Sequence, residues 1–365
     1  MNKQFDYGQL ECALGPAYYP AANVWLYAFI AYICPWSYAC GQWFSLMGIV
    51  LMHSLSAALV TTLTPLRSHQ RLAVMAAVFC GHYVHHVAIA KLSNDTFAVV
   101  LTQAAIFCLV TRRLTACTGF ITLAMLFKMN NLLYIPAFFT LYVVHYSVVT
   151  VLQQVGLALV LTLALSLPFL WTAPATYMAY AFSFSRKFTV SQNYVWRFLS
   201  DETLHSSWFA LLLLLATATL DLLCCLAYAR KYAQRARGSS PTSKTHGNSN
   251  SDMLLLLLSV HAIGFTLSKG LHAQFVMWIY WSLPLLVPAL LHLSFPLTVA
   301  GLILYDCCFR LPMIDVLRFG RYDLNNAQVL LILHGLLLWG IVSYWYRQCW
   351  KRKRKQETQS SWKSL

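Results

Sequence analysis

From Gly41 to Tyr346 the chain repeats apolar segments separated by short polar stretches. A hydrocarbon core about 30 Å thick needs about 20 apolar residues in a helix. Roughly eleven segments meet that scale, near 41–63, 72–90, 96–110, 114–127, 131–150, 153–171, 207–229, 253–268, 275–293, 294–311 and 327–346. The fourth is short for a span. The pattern predicts an all-α fold, a polytopic transmembrane helical bundle. Residues 1–346 form a single multi-spanning membrane domain, and 347–365 form a tail. Ala21–Ile33 is apolar but shorter than a span, lies between Pro20 and Pro35, and carries Trp25, Tyr27 and Tyr32. It reads as an interfacial or re-entrant helix.

Composition narrows the picture. The chain is 59% hydrophobic and only 10% charged, where soluble domains carry about 25% charged residues. The net charge of +15 is concentrated in Arg230–Arg237 and Lys351–Lys355. Basic residues mark cytosolic loops, so these segments read as contacts with anionic membrane lipid and not with nucleic acid. The tail and the linker 230–252 are then cytosolic, and the Ser-, Asn- and Gly-rich part of that linker is expected to be disordered. Counting back places 1–40, 91–95, 172–206, 268–274 and 312–326 on the opposite side, with 172–206 as the one large loop there. This orientation puts the N-terminus on the non-cytosolic side although residues 1–20 are polar, which leads to the expectation of a missing first span. Eleven cysteines include no CxxC pair. Cys224-Cys225 and Cys307-Cys308 lie in apolar surroundings and read as filler or palmitoylation sites.

Chemistry must then sit in the polar stretches. The loop Phe5-Asp6-Tyr7 to Pro20 is dense in Tyr, Gly and Pro and suits a structured loop lying on the membrane. Asn94-Asp95-Thr96 joins two apolar segments; Asp95 suits a helix cap. It is also formally a glycosylation sequon, in a loop too short to hold Asn94 clear of the bilayer. Lys128-Met129-Asn130-Asn131 sets a cation and two amides at the end of an apolar run, where ionisable groups are costly and functional by default. In 172–206, Ser185-Arg186-Lys187-Phe188 and Trp196-Arg197-Phe198 combine guanidinium forks, which fit phosphate oxygens, with an aromatic surface for a sugar or lipid headgroup. Lys269, His272 and Gln274 follow a span end. His82, His85 and His86 share a helical face with no acid nearby, which favours pairing across helices over a metal. Asp306 and Arg310 are spaced to pair with each other. No GxSxG, HExxH, Walker or Rossmann pattern is present, so no nucleotide, metal or other cofactor is expected.

At these residues the chain resembles the dolichyl-phosphate-mannose-dependent α-1,3-mannosyltransferases of the asparagine-linked glycosylation pathway. That family's Tyr-Asp-Tyr … Thr-Gly-Pro-Leu-Val-Tyr-Pro-Ala-Gly is similar to Phe5-Asp6-Tyr7 followed by Leu14-Gly15-Pro16-Ala17-Tyr18-Tyr19-Pro20-Ala21-Ala22. Its Val-His … Arg-Leu-Phe-Asn-Asp resembles Val84-His85 … Lys91-Leu92-Ser93-Asn94-Asp95, and its Lys-Met-Asn resembles Lys128-Met129-Asn130. Its Ser-Arg-Gln-Phe … Asn-Trp-Arg-Phe-Leu resembles Ser185-Arg186-Lys187-Phe188 … Val195-Trp196-Arg197-Phe198-Leu199. Its Ser-Arg-Ser-Leu-His-Tyr-Gln-Phe resembles Ser268-Lys269-Gly270-Leu271-His272-Ala273-Gln274-Phe275. All of these stretches fall on the side that charge makes non-cytosolic.

The resemblance implies a glycosyltransferase of the multi-spanning C type in the endoplasmic reticulum membrane, its active face lumenal. It implies inverting transfer of mannose from dolichyl-phosphate-mannose to a dolichyl-diphosphate-linked pentamannosyl oligosaccharide. Such transfer needs a carboxylate base and cations for the departing phosphate. Arg186, Arg197 and Lys269 are the phosphate candidates; Asn94, Asp95, Lys128, Asn130, Trp196 and His272 are the further substrate-binding candidates. The family's base lies in an Asp-Trp motif upstream of the Tyr-Asp-Tyr stretch, and the acid before Thr-Gly-Pro is here Ala13. Asp6 is then the candidate base, with Glu11 the other acid of the loop. Lys91 and Lys269 stand where the family has arginines, which removes bidentate binding. The alternative reading is a non-catalytic transporter or carrier of dolichol-linked lipid.

Overall fold

The computed structural model of the chain describes residues 5–12, 15–35, 37–63, 75–76, 79, 81–183, 189–190, 193–238, 246–291, 293–319 and 324–363. The longer helices are α1 Ala21–Ile33, α2 Tyr38–Leu63, α3 Asp95–Val110, α4 Leu114–Phe127, α5 Ile135–His145, α6 Val148–Thr172, α7 Pro174–Ala181, α8 Ser207–Gly238, α9 His246–Thr266, α10 Leu283–Leu291, α11 Phe295–Phe319 and α12 Leu324–Lys363. Among the described residues the one departure from helix and turn is a two-residue antiparallel pair, with Glu11 opposite Pro16 and Cys12 opposite Gly15.

Among the described residues four helices are long and apolar enough to cross a membrane: Tyr38–Val60, Val148–Thr172, Ser207–Ala236 and Asn326–Gln348. The pair Tyr83–Ala90 and Asp95–Val110, bent by 113°, brings the number to five if it counts as one span. Ala21–Ile33, Leu114–Phe127, Asn250–Thr266 and Pro296–Phe309 are shorter apolar helices. The expectation of eleven spans is therefore not met by span-length helices among the described residues. Hydropathy counts apolar length, whereas breaks divide the helices, as at 91–94. Ala21–Ile33 is helical over the segment read as interfacial.

The chain forms two compact units. The first comprises Met1–Leu59, His82–Leu132 and Tyr146–Lys187; the second comprises Val60–Gly81, Leu133–His145 and Phe188–Leu365. In the first unit α3 packs closely on α4, and α4 on α6. Polar side chains link these helices. Gln103 donates to Ser56 at 2.8 Å, and Thr118 donates to Gln154 at 2.7 Å. Each such bond contributes about 0.6 kcal/mol where no water competes. α6 exposes Leu152, Leu159, Val160, Leu163 and Leu167, an apolar surface suited to lipid. Beside it, Tyr7, Phe169 and Tyr177 form an aromatic nest with ring centroids 4.9–5.7 Å apart. A disulfide between Cys34 and Cys40 joins the end of α1 to the start of α2; the apolar cysteine pairs had drawn the sequence reading away from it.

In the second unit α9 is the core. Met253, Leu256, Leu257, Leu258, Val260 and Ile263 have no exposed surface. α8 and α12 both pack against α9 and against each other. Within the linker 230–252, Arg230–Gly238 continues α8 and α9 begins at His246. Asp252 of α9 receives Lys231 at 2.8 Å and Arg235 at 2.7 Å from α8.

Two glycines test this packing with opposite signs. A Cβ on Gly264 would meet Leu133 Cδ2 at 2.6 Å and Cγ at 3.2 Å, whereas one on Gly301 would meet nothing within 4 Å. Gly264→Ala is expected to destabilise by about 1–3 kcal/mol through overpacking. Gly301→Ala is expected to stabilise by roughly 0.5–1 kcal/mol through helix propensity. Thermal unfolding of the purified chain in detergent measures both.

Candidate functional site

In the first unit the chemistry gathers at the bend between His86–Ala90 and α3. The helix before the bend closes with a π segment over His86–Ala90, a feature frequent at functional sites. Leu92 then takes φ 48°, a left-handed conformation that is strained for a bulky residue. This turn delivers Ser93, Asn94 and Asp95, all buried. Ser93 Oγ donates to Asp95 Oδ2 at 2.7 Å and accepts from the Asp95 N–H at 3.3 Å. Lys128, where α4 ends, forms a buried ion pair with Asp95 Oδ1. Its ammonium also donates to Asn94 Oδ1 at 3.0 Å and lies 5.3 Å from the Tyr19 ring centroid. Tyr7 holds that loop by donating its hydroxyl to the Tyr19 carbonyl at 2.8 Å.

Asn131 fixes the Lys128 backbone. Its amide donates to the carbonyls of Ala124 at 2.8 Å and Lys128 at 3.2 Å, and its oxygen accepts from Thr102 at 2.8 Å. Asn130 differs: its carboxamide oxygen is buried with no hydrogen-bond partner among the described residues. Both Asp95 oxygens are engaged, so Asp95 acts first as the counter-ion of Lys128 and not as the helix cap that its position suggested. Ser93 and Tyr19 were not read as site residues. The only signal for them is adjacency to the bend and the Tyr-Tyr-Pro stretch.

Asp6 lies elsewhere in this unit. Its Oδ1 accepts from the Gly8 N–H at 2.9 Å and from Thr176 Oγ1 at 2.8 Å, and its Oδ2 from Gln9 at 3.4 Å. The Gly8 N–H and then the Thr176 hydroxyl hold its pKa below the usual carboxylate value. Asp6 caps the turn Tyr7–Gln9.

In the second unit Asn193, fully buried, organises the other group. Its Nδ2 donates to the Lys269 carbonyl at 2.6 Å, and its Oδ1 accepts from the N–H groups of Val195 at 3.2 Å and Trp196 at 3.0 Å. The Tyr194 N–H bonds the Leu271 carbonyl at 2.9 Å. The segments 193–197 and 268–272 are thus stitched together. Arg197, buried, donates Nε to the Asn193 carbonyl at 3.0 Å and sets its guanidinium 4.6 Å from the Tyr194 ring centroid. Trp196 is committed within the fold. Its Nε1 donates to the Ser268 carbonyl at 2.9 Å and its ring meets Phe209 edge-on at 5.4 Å. It is Tyr194 that stacks on Arg197. His272 Nδ1 accepts from the Gln274 N–H at 3.3 Å. Asn193 was missed, although an Asn bonding the backbone two and three residues on is a recognisable turn pattern.

Arg186 lies outside the described residues, as do the side chains of His82 and Arg310. His85 pairs across helices with His53, Nε2 to Nε2 at 2.8 Å.

The family model described as ALG3 protein matches residues 1–312. The chain belongs to that family. Both residue groups fall inside the matched region. Among curated relatives, the human protein named Dol-P-Man:Man(5)GlcNAc(2)-PP-Dol alpha-1,3-mannosyltransferase is 29% identical over 303 residues, which are 80% of this chain and 67% of the relative. The Neurospora crassa protein of the same name is 28% identical over 79% of this chain and 68% of its own length. A Dictyostelium discoideum relative, named as a probable enzyme of that kind, is 27% identical over 56% of this chain and 47% of its own length. The chain thus spans about two thirds of the first and about half of the last.

For this ALG3-family chain the two groups make separate predictions. Lys128→Met is expected to destabilise by about 3–5 kcal/mol because it strands a buried carboxylate. Adding Asp95→Asn should restore much of that loss, giving a coupling of about 0.5–3 kcal/mol in a double-mutant cycle read by thermal unfolding. Asn193→Ala is expected to lose about 1–3 kcal/mol by leaving backbone groups unsatisfied. Limited proteolysis should then cut near 193–197 faster than in the parent, with other cleavage rates unchanged.

Proposed function

We propose that the chain is a mannosyltransferase, moving mannose from dolichyl-phosphate-mannose to the dolichyl-diphosphate-linked pentamannosyl oligosaccharide and forming an α-1,3 linkage with inversion. The observation that carries this reading is the family match over residues 1–312, together with the shared name of the human and Neurospora relatives. We place it in the endoplasmic reticulum membrane as a multi-pass protein whose residues 91–95, 172–206 and 268–274 face the lumen. The roughly eleven apolar segments, including the shorter helices, then make up its passage through the bilayer.

In this reading the second unit serves phosphate. Arg197 is held by the Asn193 carbonyl and stacked on Tyr194, which fixes the plane of its guanidinium. A planar fork held in that way is suited to a phosphate that gains charge as the glycosyl bond breaks. Lys269 and His272 border the stitched segment. The first unit serves the sugar. Asn130 offers a buried acceptor for a hydroxyl, and Lys128, neutralised by Asp95, positions Asn94 beside it. Asp6 sets the N-terminal loop.

The test is mannose transfer from labelled dolichyl-phosphate-mannose in membranes carrying the chain. Arg197→Ala is expected to lower transfer by about 100-fold or more, as removal of a charge-stabilising donor does. Asp6→Asn should lower it only a few-fold, since the amide oxygen can still accept from Gly8. Absence of transfer in the unmutated protein overturns the reading, and a collapse in Asp6→Asn assigns Asp6 as the base.

A further inference from the structure

A helix that breaks leaves main-chain carbonyls without an intrahelical partner. At the bend of the first unit two carbonyls accept from tyrosine hydroxyls far away in sequence. Tyr38 donates to the Ala90 carbonyl at 2.5 Å across 52 residues, and Tyr27 donates to the Leu92 carbonyl at 3.3 Å across 65. Ala90 closes the π segment, and Leu92 is the residue at φ 48°. The two bonds therefore fall where the backbone departs from the α-helix. The Leu92 side chain is held as well. A Cβ on Gly41 would stand 3.2 Å from Leu92 Cδ1, so α2 comes closest to the bend where it carries no side chain.

Both tyrosines belong to one hairpin. Tyr27 lies on α1 and Tyr38 opens α2, and the Cys34–Cys40 disulfide closes the turn between them. Trp25 fixes α1 on another side, its Nε1 donating to the Leu165 carbonyl of α6 at 2.9 Å. Residues 25 and 27 point about 200° apart around a helix, so α1 bridges α6 and the bend. α1 also begins just after Tyr19, whose ring lies beside the Lys128 ammonium. The hairpin thus reaches the Lys128–Asp95 pair from two directions. Tyr19 meets the cation, and Tyr27 and Tyr38 hold the turn that delivers the carboxylate.

We propose that Tyr27 and Tyr38, locked by the Cys34–Cys40 disulfide, are positioning residues: their hydroxyls hold the bend that sets Ser93, Asn94 and Asp95 against Lys128. The effect on transfer rests on the mannosyltransferase reading; the hold on the bend does not. A disulfide acting through these hydroxyls differs from a general staple, because once the hydroxyls are gone, breaking it changes nothing more at the bend. The experiment compares the full chain with Tyr27→Phe/Tyr38→Phe, with Cys34→Ser/Cys40→Ser, and with all four changes together. Amide hydrogen exchange in detergent, read by mass spectrometry, follows the peptide over 90–95, with 256–263 of the second unit as control. Mannose transfer is measured in membranes carrying each variant. Exchange over 90–95 is expected to quicken severalfold in each paired variant and by no more in the combination, with 256–263 unchanged. Transfer is expected to fall about 10-fold in each pair, and again no further in the combination, as misplacement of a positioned group does. The Phe pair keeps both rings, so it tests the proposal even where the Ser pair does not fold. Parent-like exchange over 90–95 in the Phe pair, equal quickening of 256–263, or effects of the two pairs that multiply overturn the proposal. Quickened exchange with undiminished transfer overturns the positioning role. A parent chain that transfers no mannose overturns the mannosyltransferase reading instead, and exchange alone then decides the hold on the bend.

Discussion

A buried charge has to be matched before anything around it can be ordered, and in the first unit that match is Lys128 with Asp95. Neither group has water to fall back on. The desolvation of both is repaid only if each remaining polar atom also finds a partner. Ser93, Asn94 and the face of Tyr19 supply those partners. The bend at 91–94, the end of α4 and the N-terminal loop are therefore one arrangement. The strained backbone at Leu92 is tolerated because the ion pair fixes the turn from both sides.

In the second unit hydrogen bonds to the backbone order the candidate site. Asn193 answers several backbone groups at once, and Arg197 is oriented by a carbonyl and an aromatic face. Lys128, by contrast, meets its charge directly with Asp95.

Much of this was legible in the residues. Helix content and the bounds of Ala21–Ile33 follow from apolar periodicity, and the polar stretches 93–95, 128–131 and 195–199 stand out from it in the sequence. Apolar segments such as Leu114–Phe127 and Leu283–Leu291 fold as helices shorter than a span, because hydropathy counts apolar residues and does not report where a helix ends. The pairing of Asp252 with Lys231 and Arg235 of another helix is long-range, and local composition does not encode it. The bonds of Asp6 to Gly8 and Thr176 leave no trace in the sequence, since Thr176 is 170 residues away. Asn193 and Tyr194 escaped notice because their work is done through main-chain atoms.

The engagement of Asn94 also bears on the chain's own maturation. Asn94-Asp95-Thr96 spells an acceptor for N-linked glycan, but the Asn94 side chain is buried and its oxygen is taken by Lys128. Oligosaccharyl transfer needs that carboxamide exposed on a pliant segment. Once the ion pair closes, the acceptor is withdrawn, so glycan at this position would record a molecule that had not finished folding.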